Sequence, residues 1–303
     1  MKVEHNLVKI LVTGSNGLLG QKIVAQLLKK GIPFLATSKG ENRNPDCPKE
    51  NYQSLDITDI DAVWDLFDNE YFVSVINTAA MTNVDACEED EENCRKINVQ
   101  GVKNLHDATT TFGLGHLVHV STDFVFDGEN GPYSEEDERN PLSIYATSKR
   151  DSEDLLLNSE YDNWSILRTI IVFGQGKNLS RSNIVLWARQ ALKDGQELTI
   201  VNDQFRAPTW ADDLAWACIQ AAQTSSKGVY HISGPETFSI FDLVSRIAKF
   251  YELDSSVVKP ISSSTLNQKA KRPTTTGFDI SKAREILGYK PLTFEESLSQ
   301  LEE

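Results

Sequence analysis

Residues 7–20 of the chain read LVKILVTGSNGLLG. The apolar run Ile10 to Val12 stops just before Gly14, and glycine recurs at Gly17 and Gly20. A helical pattern starts at once, with Leu18, Leu19, Ile23, Val24, Leu27 and Leu28 apolar. Strand, glycine turn and helix in that order give a glycine fingerprint its meaning. Gly14 permits the tight turn, Gly17 lets a pyrophosphate approach the backbone, and Gly20 lets helix and strand pack closely. The helix then aims unpaired N–H groups and a positive dipole end at the phosphates. The stretch therefore predicts a dinucleotide cradle, with Asn16, Leu18 and Leu19 of the same turn beside the cofactor.

Strand and helix patterns alternate outward from this turn, which predicts an α/β fold with a Rossmann-type doubly wound parallel sheet. The expected strands are Ile32 to Thr37, Asn51 to Leu55, Tyr71 to Ile76, Leu114 to Val120 and Trp164 to Phe173. Between them lie a helix containing Ile60, Val63, Trp64 and Phe67, one long helix from Val84 to Gly113, and one from Ser143 to Asn158. After Gly174 the pattern changes. Helices at Ile184–Leu192, Ala211–Ala222 and Ile240–Tyr251 are interleaved with short strands at Leu198–Val201 and Val229–Ile232. Ser255 to Asp279 shows no strong period, and Ser281–Leu287 and Phe294–Leu301 read as short closing helices. The economical division is a dinucleotide-binding domain over 1–174, with 202–232 returning to it. A smaller, interleaved substrate lobe takes 175–201 and 233–303.

Composition removes several classes of function. A net charge of −14 argues against a nucleic-acid surface, which needs a basic footprint. No apolar run approaches the roughly 18 residues of a membrane span, and Glu4, His5 and Lys9 are unlike a secretory signal. Cys47, Cys87, Cys94 and Cys218 show no Cys-x-x-Cys spacing, so free thiols and a cytoplasmic location are expected. No ligand cluster has metal-site spacing.

Tyr145 and Lys149 lie four residues apart on a predicted helix, stacked on one face about 6 Å apart along the axis. Of the 8 tyrosines, only Tyr145 has a lysine at that spacing. Ser121-Thr122-Asp123 ends a central strand, and ligands of such sheets lie at the carboxyl ends of strands. This constellation suits ketone reduction. A phenol with a pKa near 10 exchanges protons poorly at neutral pH, and an adjacent ammonium lowers that value. Tyr145 is thus expected as the proton donor, Lys149 as its activator and ribose ligand, and Thr122 as the hydroxyl that orients the carbonyl. The second strand ends in Thr37-Ser38-Lys39 with no carboxylate to repel a 2′-phosphate, so NADPH is expected at least as readily as NADH. Asp56-Ile57 should lie by the adenine. Ala79, Ala80, Thr82 and Asn98 are grouped with the same cofactor.

Gly14-x-x-Gly17-x-x-Gly20, Asn77-Thr78-Ala79-Ala80, STDFVFDG over 121–128, Tyr145-x-x-x-Lys149, Arg168-Thr169, Asp203-Gln204, Pro208-Thr209, Asp213-Leu214-Ala215, Arg272-Pro273 and Ser281-Lys282 recur in order. On these motifs the chain resembles the dTDP-4-dehydrorhamnose reductase family of the extended short-chain dehydrogenases. The resemblance implies reduction of the 4-keto group of dTDP-4-dehydro-β-L-rhamnose, the last step to dTDP-L-rhamnose. It implies a small-molecule nucleotide-sugar substrate held by Thr122, Asp123, Phe124, Asn178, Arg206 and Arg272. Some relatives are metal-assisted dimers, so a Mg2+ requirement and the choice between monomer and homodimer stay open. Phe124, Met81 and Phe173 depart from the usual pattern but leave Thr122, Tyr145 and Lys149 intact. Arg206 replaces a usual Gly, and its guanidinium suits a bidentate hold on a diphosphate. Two other readings stand beside this one. One is a reductase or epimerase of another nucleotide sugar. The other is a non-catalytic regulator resembling the regulatory subunit of methionine adenosyltransferase.

Overall fold

The computed structural model describes residues 8–113, 115–266 and 268–302. Leu7, the first residue of the 7–20 stretch, and Leu114, the first of the strand expected over Leu114 to Val120, lie outside the described residues.

Strand β1 (Lys9–Thr13) is buried along almost its whole length, as a central parallel strand must be. Its side chains alternate. Ile10 and Val12 enter one core, and Leu11 enters another on the opposite face. Strands β2 (Phe34–Ser38), β3 (Tyr52–Ser54), β4 (Phe72–Asn77), β5 (His116–Thr122) and β6 (Trp164–Thr169) follow in the chain. Four short strands come next: β7 (Val172–Phe173), β8 (Leu198–Val201), β9 (Phe205–Arg206) and β10 (Thr209–Trp210). Strand β11 (Gly228–Ile232) then joins the main sheet, and β12 (Phe238–Ser239) and β13 (Val258–Ile261) complete the set. The main sheet has 7 parallel strands in the order β11-β6-β5-β4-β1-β2-β3. Strand order reverses at β1, which pairs with β2 on one side and β4 on the other. That reversal opens a crevice at the carboxyl ends of β1 and β4.

Helix α1 (Leu18–Lys30) ends at Gly31, whose φ of 63° supplies the left-handed cap. Helices α2 (Ile60–Asn69), α3 (Val84–Glu89), α4 (Glu91–Arg95), α5 (Gly101–Thr111), α6 (Ile144–Leu157), α7 (Ile184–Lys193), α8 (Ala211–Thr224), α9 (Ile240–Phe250) and α10 (Phe294–Leu298) follow. On one face of the sheet α1 and α8 pack Ile23, Val24, Leu27, Leu214 and Cys218 onto Ile10, Val12 and Ile76. On the other face α2, α5 and α6 bring Val63, Phe67, Leu105 and Leu156 against Leu11, Val75 and Leu117. A further core joins α7, α9 and α10 through Val185, Leu192, Leu243, Ile247 and Leu298.

Four elements differ from the sequence expectation. The long helix over 84–113 is broken at Asp90, where φ −140° and ψ 72° end α3. The Asp90 carboxylate accepts from Asn93 N and caps α4, a local hydrogen bond that competes with helix continuation. A π-helical segment, Lys96–Gln100, then leads into α5. The apolar run 164–173 is two strands. Ile171 has φ 34°, a left-handed turn that sends Val172 and Phe173 to pair with β10 outside the main sheet. The aperiodic tail contains β13, which pairs in parallel with β8. Ala283–Leu287 is a single π-type turn ending at Gly288.

Candidate active site

The glycine turn closes on itself. Gly17 N donates to Gly14 O at 2.9 Å, and Gly14 has φ 69°. A Cβ at Gly14 would meet Ala79 N at 2.7 Å, and one at Gly20 would meet Gly14 O at 2.4 Å. Side chains at these positions would therefore push α1 off β1 and close the approach to the backbone. Gly17 is the N-cap of α1 and offers no side-chain acceptor to its first turn. The amino end of the helix is thus left to an anion. These features fit the diphosphate of a dinucleotide.

The turn opens into a cleft of about 980 Å³ at the carboxyl edge of the sheet. Its lining includes Leu18, Leu19, Ser38, Lys39, Asp56, Ile57, Ala79, Ala80 and Thr82 on one side, and Thr122, Asp123, Phe124, Tyr145, Lys149 and Arg272 on the other. Among the described residues, Lys39, Arg43, Lys96, Lys149, Arg181 and Arg272 contribute cations there, against the carboxylates of Asp56 and Asp123. On a chain of net charge −14 this is a local reversal of sign, suited to anionic ligands. Lys39 lies 2.8 Å from Asp56, which also accepts from Thr58 N and Oγ1.

Tyr145 and Lys149 project from one face of α6, 9% and 2% exposed. Ser143 caps the helix by accepting from Ala146 N, which fixes the position of its first turn. The Tyr145 ring meets Phe124 edge-on, with centroids 6.1 Å apart. Thr122 Oγ1 accepts from Phe124 N at 3.2 Å and donates to Asp123 Oδ1 at 3.1 Å, so it caps the turn after β5 while lining the cleft. Burial raises the Tyr145 phenol above its usual range, and a hydrogen bond with Thr122 opposes this. Lys149 is engaged from below by β5. Its Nζ donates to Val120 O at 2.8 Å and stands 3.1 Å from His119 Nε2. Burial pulls Lys149 down to about 8.

Three expected ligands are placed elsewhere. Arg206 is 3% exposed. Its guanidinium donates to Phe205 O, Thr274 O and Pro273 O, and Nε lies 3.7 Å from Asp123 Oδ2. A buried guanidinium that spends both terminal nitrogens on carbonyls and faces a carboxylate offers no free fork to a diphosphate, so Arg206 supports the wall from behind. Asn178 is exposed and does not line the cleft. Its amide donates to Arg43 O at 3.1 Å and joins two loops. Asn98 is fully buried behind the cleft wall. It accepts from Met81 N at 2.8 Å and donates to Met81 O and Ser148 Oγ, both at 3.0 Å. Its amide is thereby taken up by the wall itself. Asn16 lines the cleft, but its side chain holds the 41–43 loop through Glu41 O and Arg43 N.

Arg181, Lys96 and His119 escaped the sequence reading. Arg181 enters the cleft from the loop before α7 and donates to Thr82 Oγ1. It sits in a polar loop with no periodicity to mark it. His119 is buried beneath Lys149; strand alternation from Ser121 places both on the face toward α6. Among the described residues, no group of three or more His, Cys, Asp or Glu side chains could hold a metal ion, and no helix is long and apolar enough to cross a membrane.

The chain matches the family model of the RmlD substrate binding domain over residues 8–303. It is 31% identical to the dTDP-4-dehydrorhamnose reductase of Aggregatibacter actinomycetemcomitans, over 97% of this chain and 98% of that one. It is 28% identical to methionine adenosyltransferase 2 subunit beta of Danio rerio, over 92% and 85%. Among solved structures, a dTDP-4-dehydrorhamnose reductase of Clostridium acetobutylicum superposes with a TM-score of 0.85 at 32% identity, covering 97% of this chain and 98% of that one. The dTDP-4-dehydrorhamnose reductase of Bacillus anthracis in complex with NADP gives 0.80 at 27% identity, covering 97% and 98%. With its cleft and its motifs accounted for over nearly its whole length, the chain belongs to the RmlD substrate binding domain family.

Proposed function

We propose that the chain reduces the 4-keto group of dTDP-4-dehydro-β-L-rhamnose to dTDP-L-rhamnose with NADPH. Its class, an NAD(P)H-dependent oxidoreductase, goes with its family and with the reductases it resembles. The observation that carries the finer reading is a cleft where a glycine turn, a Thr122–Tyr145–Lys149 set and six cationic side chains meet. The nicotinamide cofactor, when bound, supplies the hydride. The chain does the rest. Gly14 and Gly17 leave room for its diphosphate, and Lys39 faces the position of a 2′-phosphate. Thr122 orients the carbonyl, and Tyr145 gives its phenolic proton to the C4 oxygen. Lys149 holds a ribose hydroxyl. Arg181 and Arg272 lie on the substrate side, where a nucleoside diphosphate needs counter-charge. In this reading 1–174 with 202–232 carry the cofactor, and 175–201 with 233–303 close over the sugar nucleotide.

The test is NADPH oxidation with dTDP-4-dehydrorhamnose beside other 4-keto nucleotide sugars. Turnover limited to a different sugar would move the substrate assignment. The 28% identity to methionine adenosyltransferase 2 subunit beta supports a second reading, a cofactor-binding regulator. Tight NADPH binding with no turnover of any 4-keto sugar would favour it.

A further inference from the structure

Lys149 is enclosed by hydrogen-bonding partners whose roles can be worked out atom by atom. Asn77 Oδ1 accepts from Ala79 N at 3.2 Å and from Thr13 Oγ1 at 2.6 Å. A backbone N–H can only donate, so the amide orientation is fixed and Asn77 Nδ2 points its hydrogens at His119 Nδ1, 3.2 Å away. On the other edge of the ring, Ser152 Oγ donates to Lys149 O at 2.7 Å. It can therefore only accept from His119 Nε2, at 3.1 Å. Asn77 requires a lone pair on Nδ1 and Ser152 a proton on Nε2, and together they define one neutral tautomer. Yet Lys149 Nζ also stands 3.1 Å from Nε2. An ammonium there meets a hydrogen, whereas a neutral amine could accept it.

We propose that His119 is a positioning residue for the reaction: locked as its Nε2–H tautomer by Asn77 and Ser152, it weakens the hold of Lys149 on its proton. The charge of Lys149 at the cleft is then titratable rather than permanent. The titratable groups facing Lys149 are Glu153 on its own helix, Cys94 on α4 and His119 on β5. Glu153 is held by Arg139 at 3.1 Å and Arg168 at 2.8 Å, so its charge is largely answered elsewhere. His119 is faced by Lys149 and by the neutral Asn77 and Ser152. Burial and the Lys149 charge keep the imidazole well below its usual pKa, consistent with a ring that stays neutral.

The inference rests on the reductase reading only in its kinetic arm, so two measurements independent of turnover accompany it. Nitrogen-15 NMR of the labelled wild-type protein should show His119 neutral at pH 7 with the proton on Nε2, its ring signal assigned by through-bond correlation to its own backbone. A proton on Nδ1, or an imidazolium, overturns the proposal without any variant needing to fold. In His119→Gln the amide can turn its oxygen to Lys149 and accept from the ammonium. Carbon-13 NMR of the lysine ε-carbons should then show Lys149 titrating about one unit higher, the scale of one hydrogen bond to a charged group. The alkaline limb of kcat should move up by the same amount, with the KM for NADPH at pH 7 unchanged. A folded His119→Gln protein with Lys149 titrating as in the wild type overturns the proposal. If the lysine shifts while no 4-keto sugar is reduced by either protein, the proposal stands and the substrate reading fails.

Discussion

The guanidinium of Arg206 lies 3.7 Å from the carboxylate of Asp123, and both side chains are buried. Asp123 also accepts from Thr276, and Arg206 grips the carbonyls of Pro273 and Thr274. The pair thus ties the tail segment 273–276 to the end of β5, next to Thr122. Burial pushes the Asp123 carboxyl up, and Arg206 is the leading influence opposing it.

Removing one partner of such a pair strands the other charge. Arg206→Ala should cost about 3–5 kcal/mol in equilibrium urea denaturation. Adding Asp123→Asn to that variant should return part of the loss, because the uncompensated charge is gone. A single variant within 1 kcal/mol of wild type, the range of an exposed pair, would mean the pair does not brace the wall.

Tyr145→Phe keeps the ring against Phe124 and removes the transferable proton. Under the proposed reaction kcat should fall by about 10²–10⁴-fold, with little change in NADPH affinity measured by fluorescence titration. Lys149→Met should lower kcat and weaken NADPH binding together. Wild-type turnover in Tyr145→Phe would place the acid on another group.

Arg181 and Arg272 reach the cleft differently. Arg272 is held by Asp85 at 2.6 Å, while Arg181 donates to Thr82. Either residue changed to Ala should raise the KM for the nucleotide sugar at least several-fold more than that for NADPH, since each charge-assisted contact contributes about 1.5–3 kcal/mol. Asp85→Asn should produce a smaller rise, by releasing Arg272 without removing it. Steady-state kinetics in both substrates reads the difference, and equal effects on both KM values would place these arginines outside the sugar-nucleotide site.

Lys39 is exposed and, among the described residues, forms an ion pair with Asp56. Lys39→Glu should lower kcat/KM for NADPH at least tenfold relative to NADH, because a carboxylate repels the 2′-phosphate. Side-by-side kinetics with the two cofactors checks this. An unchanged ratio would locate 2′-phosphate recognition away from the end of β2.

Much of this architecture was already written locally in the chain. Apolar strand runs, a glycine turn and helical periodicity are short-range signals, so β1, α1, α6 and the parallel sheet were legible from Ile10, Gly14, Gly20 and their neighbours. The pairing of Tyr145 with Lys149 on one helix face was legible too, because four residues make one turn. What those side chains do there was decided by contacts far away in sequence. Lys149 meets Val120 O and His119, which lie on β5, and spacing alone carries no sign of either partner.

The same reason separates the arginines. In the sequence Arg206, Arg181 and Arg272 are equivalent cations. Tertiary packing buries the first among the carbonyls of residues 273 and 274, some 68 positions on, and leaves the other two on the cleft. The break at Asp90 and the turn at Ile171 were hidden for a related cause. An Asp within a helical pattern, or an Ile within an apolar run, carries no mark of the cap or left-handed turn that its surroundings impose. Periodicity and glycine spacing therefore determined which elements form and where their carboxyl edge lies. Only the assembled structure, by filling or leaving open each hydrogen-bonding group, decided which side chains face the cleft.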